Sequence, residues 1–280
     1  MLNTLDRRTF LRTSTISATS VALVSAVSAA DPSPTRRMLL AGGGVFDKTQ
    51  DRALLKYFLQ LIDKPDPIVY LLPTAAGDNL ERIAIWYETM HTLPCRPRHL
   101  RLFGPTGQLK DFGRQLLSAD GIFVHGGNTL NMLAVWRAQG VDTILRTAWE
   151  RGIVLAGESA GMICWFEQGV TDSRPERLSG MDCLGWLKGS ACPHYHTEPL
   201  RRPGYRKLLL DNEVQAGIAC DDHAALVYEG DRLVKVVSAH AKATAYRVRR
   251  EGQEIVEEPF TAELLPGVKV EPVKDAKPTG

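Results

Sequence analysis

Five short apolar runs, each stopped by glycine or proline, constrain this chain more than any other feature. Arg37-Met38-Leu39-Leu40-Ala41 ends in Gly42-Gly43-Gly44, and Ile68-Val69-Tyr70-Leu71-Leu72 ends in Pro73-Thr74-Ala75. His99-Leu100-Arg101-Leu102-Phe103 ends in Gly104-Pro105. Gly121-Ile122-Phe123-Val124 ends in His125-Gly126-Gly127, and Ile153-Val154-Leu155-Ala156 ends in Gly157. Runs this short, without polar alternation, read as strands buried on both faces. Between them, apolar residues recur at helical spacing: Leu54, Leu55, Phe58, Leu59 and Ile62, then Ile83, Trp86 and Met90, then Leu130, Leu133, Trp136, Ile144 and Trp149. Alternating strands and helices predict a single α/β domain around a mostly parallel, doubly wound sheet.

After Leu184 the pattern changes. A helix is expected over residues 205–211. The runs 225–228 and 233–238 form a C-terminal hairpin turned at Glu229-Gly230-Asp231-Arg232. A last strand over 245–248 leads into a polar tail. The expected organisation is a signal segment over 1–30, one domain over 31–266, and a flexible tail over 267–280.

The N-terminus is of another kind. Asp6-Arg7-Arg8-Thr9-Phe10-Leu11-Arg12 precedes an uncharged, Ser-, Thr- and Ala-rich stretch from 13 to 30 that ends in Ser28-Ala29-Ala30. A positive start, a mildly apolar middle and small residues at the end make an export signal. The paired arginines before Phe-Leu are similar to a twin-arginine signal. A membrane anchor is the competing reading, but a stretch this rich in Ser and Thr spans a bilayer poorly. A periplasmic or secreted protein is expected, with the export machinery a partner of the precursor and no stable membrane association.

Lys and Arg number 34 and Asp and Glu 32; without residues 1–30, which hold three arginines and one aspartate, both counts fall to 31. No clustered basic face is indicated, so no nucleic-acid partner is expected. The five cysteines include no Cys-x-x-Cys pair. Neither a metal site nor a cofactor is expected, and the thiols read as small buried hydrophobes.

In open parallel sheets, ligands bind off the carboxyl ends of the strands. Gly157-Glu158-Ser159-Ala160-Gly161 lies at such an end, before a helical run over 162–166. That is the setting of a nucleophile elbow, a strained turn that pushes the Ser159 hydroxyl out of the sheet. A tight turn with a capping serine is the plainer alternative. A serine needs a base. His194, in Cys192-Pro193-His194-Tyr195-His196, stands on a loop 35 residues after Ser159, and His196 would point the other way in an extended chain. Ala160 offers one backbone N–H to an oxyanion, and Gly126-Gly127-Asn128-Thr129 a second. Asn128 is a candidate substrate contact or a helix N-cap. For the orienting acid, Asp172 in Thr171-Asp172-Ser173 competes with Asp222 in Asp221-Asp222-His223. Glu158 adjoins the nucleophile with its side chain directed elsewhere.

These motifs, in this order, resemble the serine peptidase family of dipeptidase E and cyanophycinase. The resemblance extends from about Met38 to Val248. It implies a fold like that of class I glutamine amidotransferases, Ser159 as nucleophile, His194 as base and Asp172 as the matching acid. The oxyanion donors transfer to Gly127 and Ala160. It also implies a small peptide substrate, with aspartate on the acyl side held by an arginine near Arg201 and Arg202. Cations at the start of a helix want an anion, which suits that reading. Cleavage of an acidic polymer, as by cyanophycinase, is an alternative. An esterase of the α/β-hydrolase fold is another, though there the histidine usually lies much further from the serine. A non-catalytic binding protein fits poorly with an intact Ser, His and glycine set.

Overall fold

The computed structural model describes residues 34–47, 52–103, 111–175 and 177–268. The stretch expected to be an export signal and most of the expected tail lie outside the described residues, which fall within one compact unit.

The first half of the chain builds an alternating α/β layer. Its strands are β1 (Arg37–Ala41), β2 (Ile68–Leu72), β3 (Arg96–His99), β4 (Gly121–Val124) and β5 (Val154–Glu158). Its helices are α1 (Ala53–Ile62), α2 (Leu80–Met90), α3 (Phe112–Leu117), α4 (Thr129–Gln139) and α5 (Val141–Glu150). The remainder contributes α6 (Ala160–Ile163), β6 (Phe166–Thr171), β7 (Ser179–Asp182), β8 (Leu187–Cys192), α7 (Arg201–Leu210) and β9 (Gly217–Cys220). It ends with β10 (Ala224–Glu229), β11 (Arg232–Ser238), β12 (Ala245–Glu251), β13 (Glu254–Pro259) and β14 (Ala262–Leu264).

One sheet has the order β14-β11-β10-β1-β5-β4-β2-β3, and a second the order β13-β12-β9-β8-β6-β7. In the first, β1, β5, β4, β2 and β3 are parallel neighbours. The predicted C-terminal hairpin, β10 and β11, adds antiparallel to β1.

The first sheet is covered on both faces, as its unbroken apolar runs require. Met38, Leu40, Ile122, Val124 and Leu155 point into one core with Trp136, Leu145 and Trp149. Leu39, Ala41, Phe123 and Ala156 point the opposite way, onto Leu55 and Phe58 of α1 and Trp86 of α2. This is the two-residue period of a pleated strand, with both of its faces apolar.

Three expectations need correction. The third strand is Arg96–His99, not 99–103. Among the described residues only β2 pairs with it, so an edge strand of alternating character suffices. The helical run expected over 162–166 is one turn, and Phe166 already starts β6. The polar stretch after Val248 continues β12 and adds β13 and β14. The second sheet escaped the sequence reading because strands such as Glu254–Pro259 are largely exposed and carry glutamates.

Phe123 tests the α1/α2 side of the core. It is 2% exposed and lies within 5.6–6.2 Å, ring centre to ring centre, of Phe46, Phe58 and Trp86. Phe123→Ala should cost about 3–5 kcal/mol, read as a lower urea midpoint at constant slope. A loss under about 1 kcal/mol would mean that this face is poorly packed.

Candidate active site

The carboxyl end of β5 and the turn that follows it govern the site. Ser159 stands between β5 and α6 at φ 54°, ψ −112°, a backbone that side-chain-bearing residues rarely adopt. Its N–H donates to the Ala41 carbonyl, and its own carbonyl accepts from Met162 and Ile163. The flanking glycines are required by contact. A Cβ on Gly157 would lie 2.4 Å from the Gly161 carbonyl oxygen, and one on Gly161 would lie 2.1 Å from that of Val124.

His194 follows β8, also at positive φ, and the adjoining Tyr195 N–H donates to the Cys220 carbonyl. Its Nε2 lies 2.8 Å from Ser159 Oγ and its Nδ1 2.6 Å from Asp222 Oδ1. An ionised carboxylate only accepts, so Asp222 holds the proton on Nδ1 and leaves Nε2 to accept from the serine hydroxyl. Burial works against the charged form of Asp222. The hydrogen bond and charge of His194, with Thr197 and His223, outweigh it and hold the carboxyl below its ordinary value.

The expected acid is Asp172, and the geometry places Asp222 there instead. Asp172 is 67% exposed at its side chain and pairs with Arg201 at 3.0 Å. The Thr171-Asp172-Ser173 segment serves α4 rather than the histidine, since Ser173 Oγ accepts the Thr129 N–H at the start of that helix. Asp222 occupies the link between β9 and β10, bridged to Gly43 at the end of β1. The alternative kept open at Asp221-Asp222-His223 lies at the strand end that meets the imidazole.

Other expected residues fall in mixed places. Gly126 faces the nucleophile, since a Cβ there would lie 3.0 Å from Ser159 Cβ. Gly127 adopts φ 140° with its Cα against the Ala75 carbonyl. Ala160 directly follows the serine as the first residue of α6. Asn128 caps α4, accepting from the Asn131 N–H, and donates to the Ser173 carbonyl.

The arginines do not stand free. Arg201 is 4% exposed and bonded to Glu198, Asp172 and the Val170 carbonyl. Arg202 pairs with Glu257 at 2.8 Å. Both lie in the first turn of α7, which begins two residues before Pro203. The anions that such cations want at a helix start are carboxylates of the chain itself.

Two carboxylates went unassigned by the sequence. Asp221, 6% exposed, holds His196 Nδ1 at 2.8 Å, a second His–Asp pair beside the first. Glu158 is 8% exposed and accepts the Val45 N–H. The cysteines carry free thiols, and burial pushes Cys192 up to about 12. Among the described residues no cluster suits a metal ion, and no helix is long and apolar enough to cross a membrane.

The fold is a mixed α/β one, and at its site a serine on a tight turn has a histidine and an aspartate in line behind it. The chain matches the peptidase family S51 over residues 38–236 and belongs to it. A Bacillus subtilis protein, YgaJ, described as an uncharacterized peptidase, is 42% identical over 82% of this chain and 99% of its own length. Cyanophycinase of Synechococcus elongatus is 22% identical, over 71% of this chain and 65% of its own. The crystal structure of a peptidase from an acI-B1 actinobacterium shares the fold at a TM-score of 0.61 and 21% identity, covering 82% of this chain and 96% of that one. A putative peptidase E from Listeria monocytogenes aligns at 0.51 and 16%, covering 81% and 100%.

The lowered Asp222 carboxyl has a consequence for stability. A depressed folded-state pKa adds stability above the unfolded value, and that stability is lost as pH falls through the folded value. The stability gap between the unmodified protein and Asp222→Asn should therefore narrow between pH 6 and pH 3 in urea titrations. A gap that widens on acidification would contradict the assigned pairing.

Proposed function

We propose that this peptidase hydrolyses small peptides by a serine mechanism, with Ser159 as nucleophile, His194 as base and Asp222 as the acid that orients it. The observation that carries the reading is the unbroken line of hydrogen-bond distances from Ser159 Oγ through the imidazole to Asp222. His194 takes the hydroxyl proton as Oγ attacks the scissile carbonyl, then gives it to the leaving amine. Asp222 stays ionised and stabilises the imidazolium. The developing oxyanion falls to the Ala160 N–H and to the Gly126-Gly127 loop, and water then releases the acyl group. An acyl-side aspartate preference is left out of this reading, because Arg201 and Arg202 are engaged by the chain's own carboxylates.

Ser159→Ala should abolish peptide hydrolysis and labelling by a fluorophosphonate. Asp222→Asn should lower kcat by on the order of 10⁴, whereas Asp172→Asn should stay within about threefold, because its exposed carboxylate pairs with Arg201 and not with the imidazole. A damaging Asp172→Asn beside a benign Asp222→Asn would reverse the acid assignment.

We further propose export by the twin-arginine route, supported by Arg7-Arg8 ahead of the uncharged 13–30 stretch. Arg7→Lys with Arg8→Lys should retain the precursor in the cytoplasm, folded and active. Mature exported product from that double variant would exclude the route.

A further inference from the structure

Glu158 is a buried carboxylate beside the nucleophile that the mechanism above leaves unused. One of its oxygens, Oε2, accepts the Val45 N–H at 3.1 Å, and Oε1 lies 3.8 Å from His125 Nε2. Val45 belongs to the turn that follows β1. The same turn carries Gly43, whose carbonyl accepts the His223 N–H at 2.9 Å. Gly43 lies flat against both the base and the acid. A Cβ there would stand 2.5 Å from His194 Cε1 and 2.3 Å from Asp222 Oδ1. Any displacement of this turn therefore moves the backing of the imidazole.

On its other side, Glu158 faces His125, whose ring stacks on Phe46 with centres 5.5 Å apart and planes 15° apart. His125 Nδ1 lies 2.9 Å from the carbonyl oxygen of Gly126, where a Cβ would lie 3.0 Å from Ser159 Cβ. One carboxylate thus spans the turn behind the base and the loop in front of the nucleophile. Keeping a carboxylate buried in such a place is costly without partners, and among the described residues Val45 and His125 stand in that position.

We propose that Glu158 is a positioning residue for the catalytic pair, holding the 42–47 turn against His194 and Asp222 by accepting the Val45 N–H. The inference rests on the serine mechanism proposed above. It makes reach, rather than charge, the property that matters. Glu158→Asp keeps the charge and withdraws the carboxylate by one methylene. Glu158→Gln keeps an acceptor at the same reach and removes the charge.

Inactivation of the full-length protein by a fluorophosphonate reads the result without a known peptide. Glu158→Asp should lower the maximal inactivation rate by about tenfold or more, as small misplacements of a base do, with the probe's half-saturating concentration nearly unchanged. Glu158→Gln should remain within about threefold of the unmodified rate. Amide exchange at Val45 should be faster in the Asp variant than in the Gln variant. If the Asp variant does not fold, Glu158→Met, which fills the space without a comparable acceptor, should show the same slow inactivation. The proposal is overturned if Glu158→Asp reacts at the unmodified rate, or if Glu158→Gln is as slow as Glu158→Asp. An unmodified protein that does not label overturns the serine assignment, and this inference with it.

Discussion

Close approach of backbone to backbone around one serine is the constraint on which the rest of this site depends. Ser159 takes a positive φ at the end of a central strand, with β1 on one side and β4 on the other. Those neighbours fix both edges of β5, so the turn cannot relax without breaking a sheet. The absence of a Cβ at Gly157 and Gly161 lets α6 fold back onto Val124. Gly43 repeats the device against the imidazole, and Gly126 against the serine. The hydroxyl and the ring can meet at 2.8 Å because no side chain stands between the strand ends that carry them.

The parallel half of the fold was legible in the sequence because burial on both faces leaves little polar residue in a strand. Met38 through Ala41 and Gly121 through Val124 are apolar or glycine at every position, and each alternate side chain enters a different core. The second sheet offered no such signal. Its outer strands meet water on one side, and residues such as Glu254 and Glu258 read as tail until β12 is seen to pair with β13. Ser159 and His194 were legible for a different reason: a glycine-flanked serine after a buried strand, and a histidine on a loop, are local patterns.

The acid could not be read locally. Two aspartates each followed a strand, and only the pairing of β10 with β1 decides which strand end returns to the nucleophile. Arg201 and Arg202 raise a related point. Charge at a helix start called for an anion, but nothing in the linear chain told a substrate carboxylate from Asp172, Glu198 and Glu257. Where a long-range partner satisfies a group, sequence shows the need and not what meets it.

The link between β9 and β10 passes from one sheet to the other, and Asp222 sits on that crossing. A chain made from its N-terminus therefore presents the serine and the histidine well before the aspartate is fixed, since Asp222 has no settled place until β10 lies beside β1. The members of the site are thus supplied in chain order, the serine first, the histidine 35 residues on and the aspartate 28 further, on the segment that joins the two sheets.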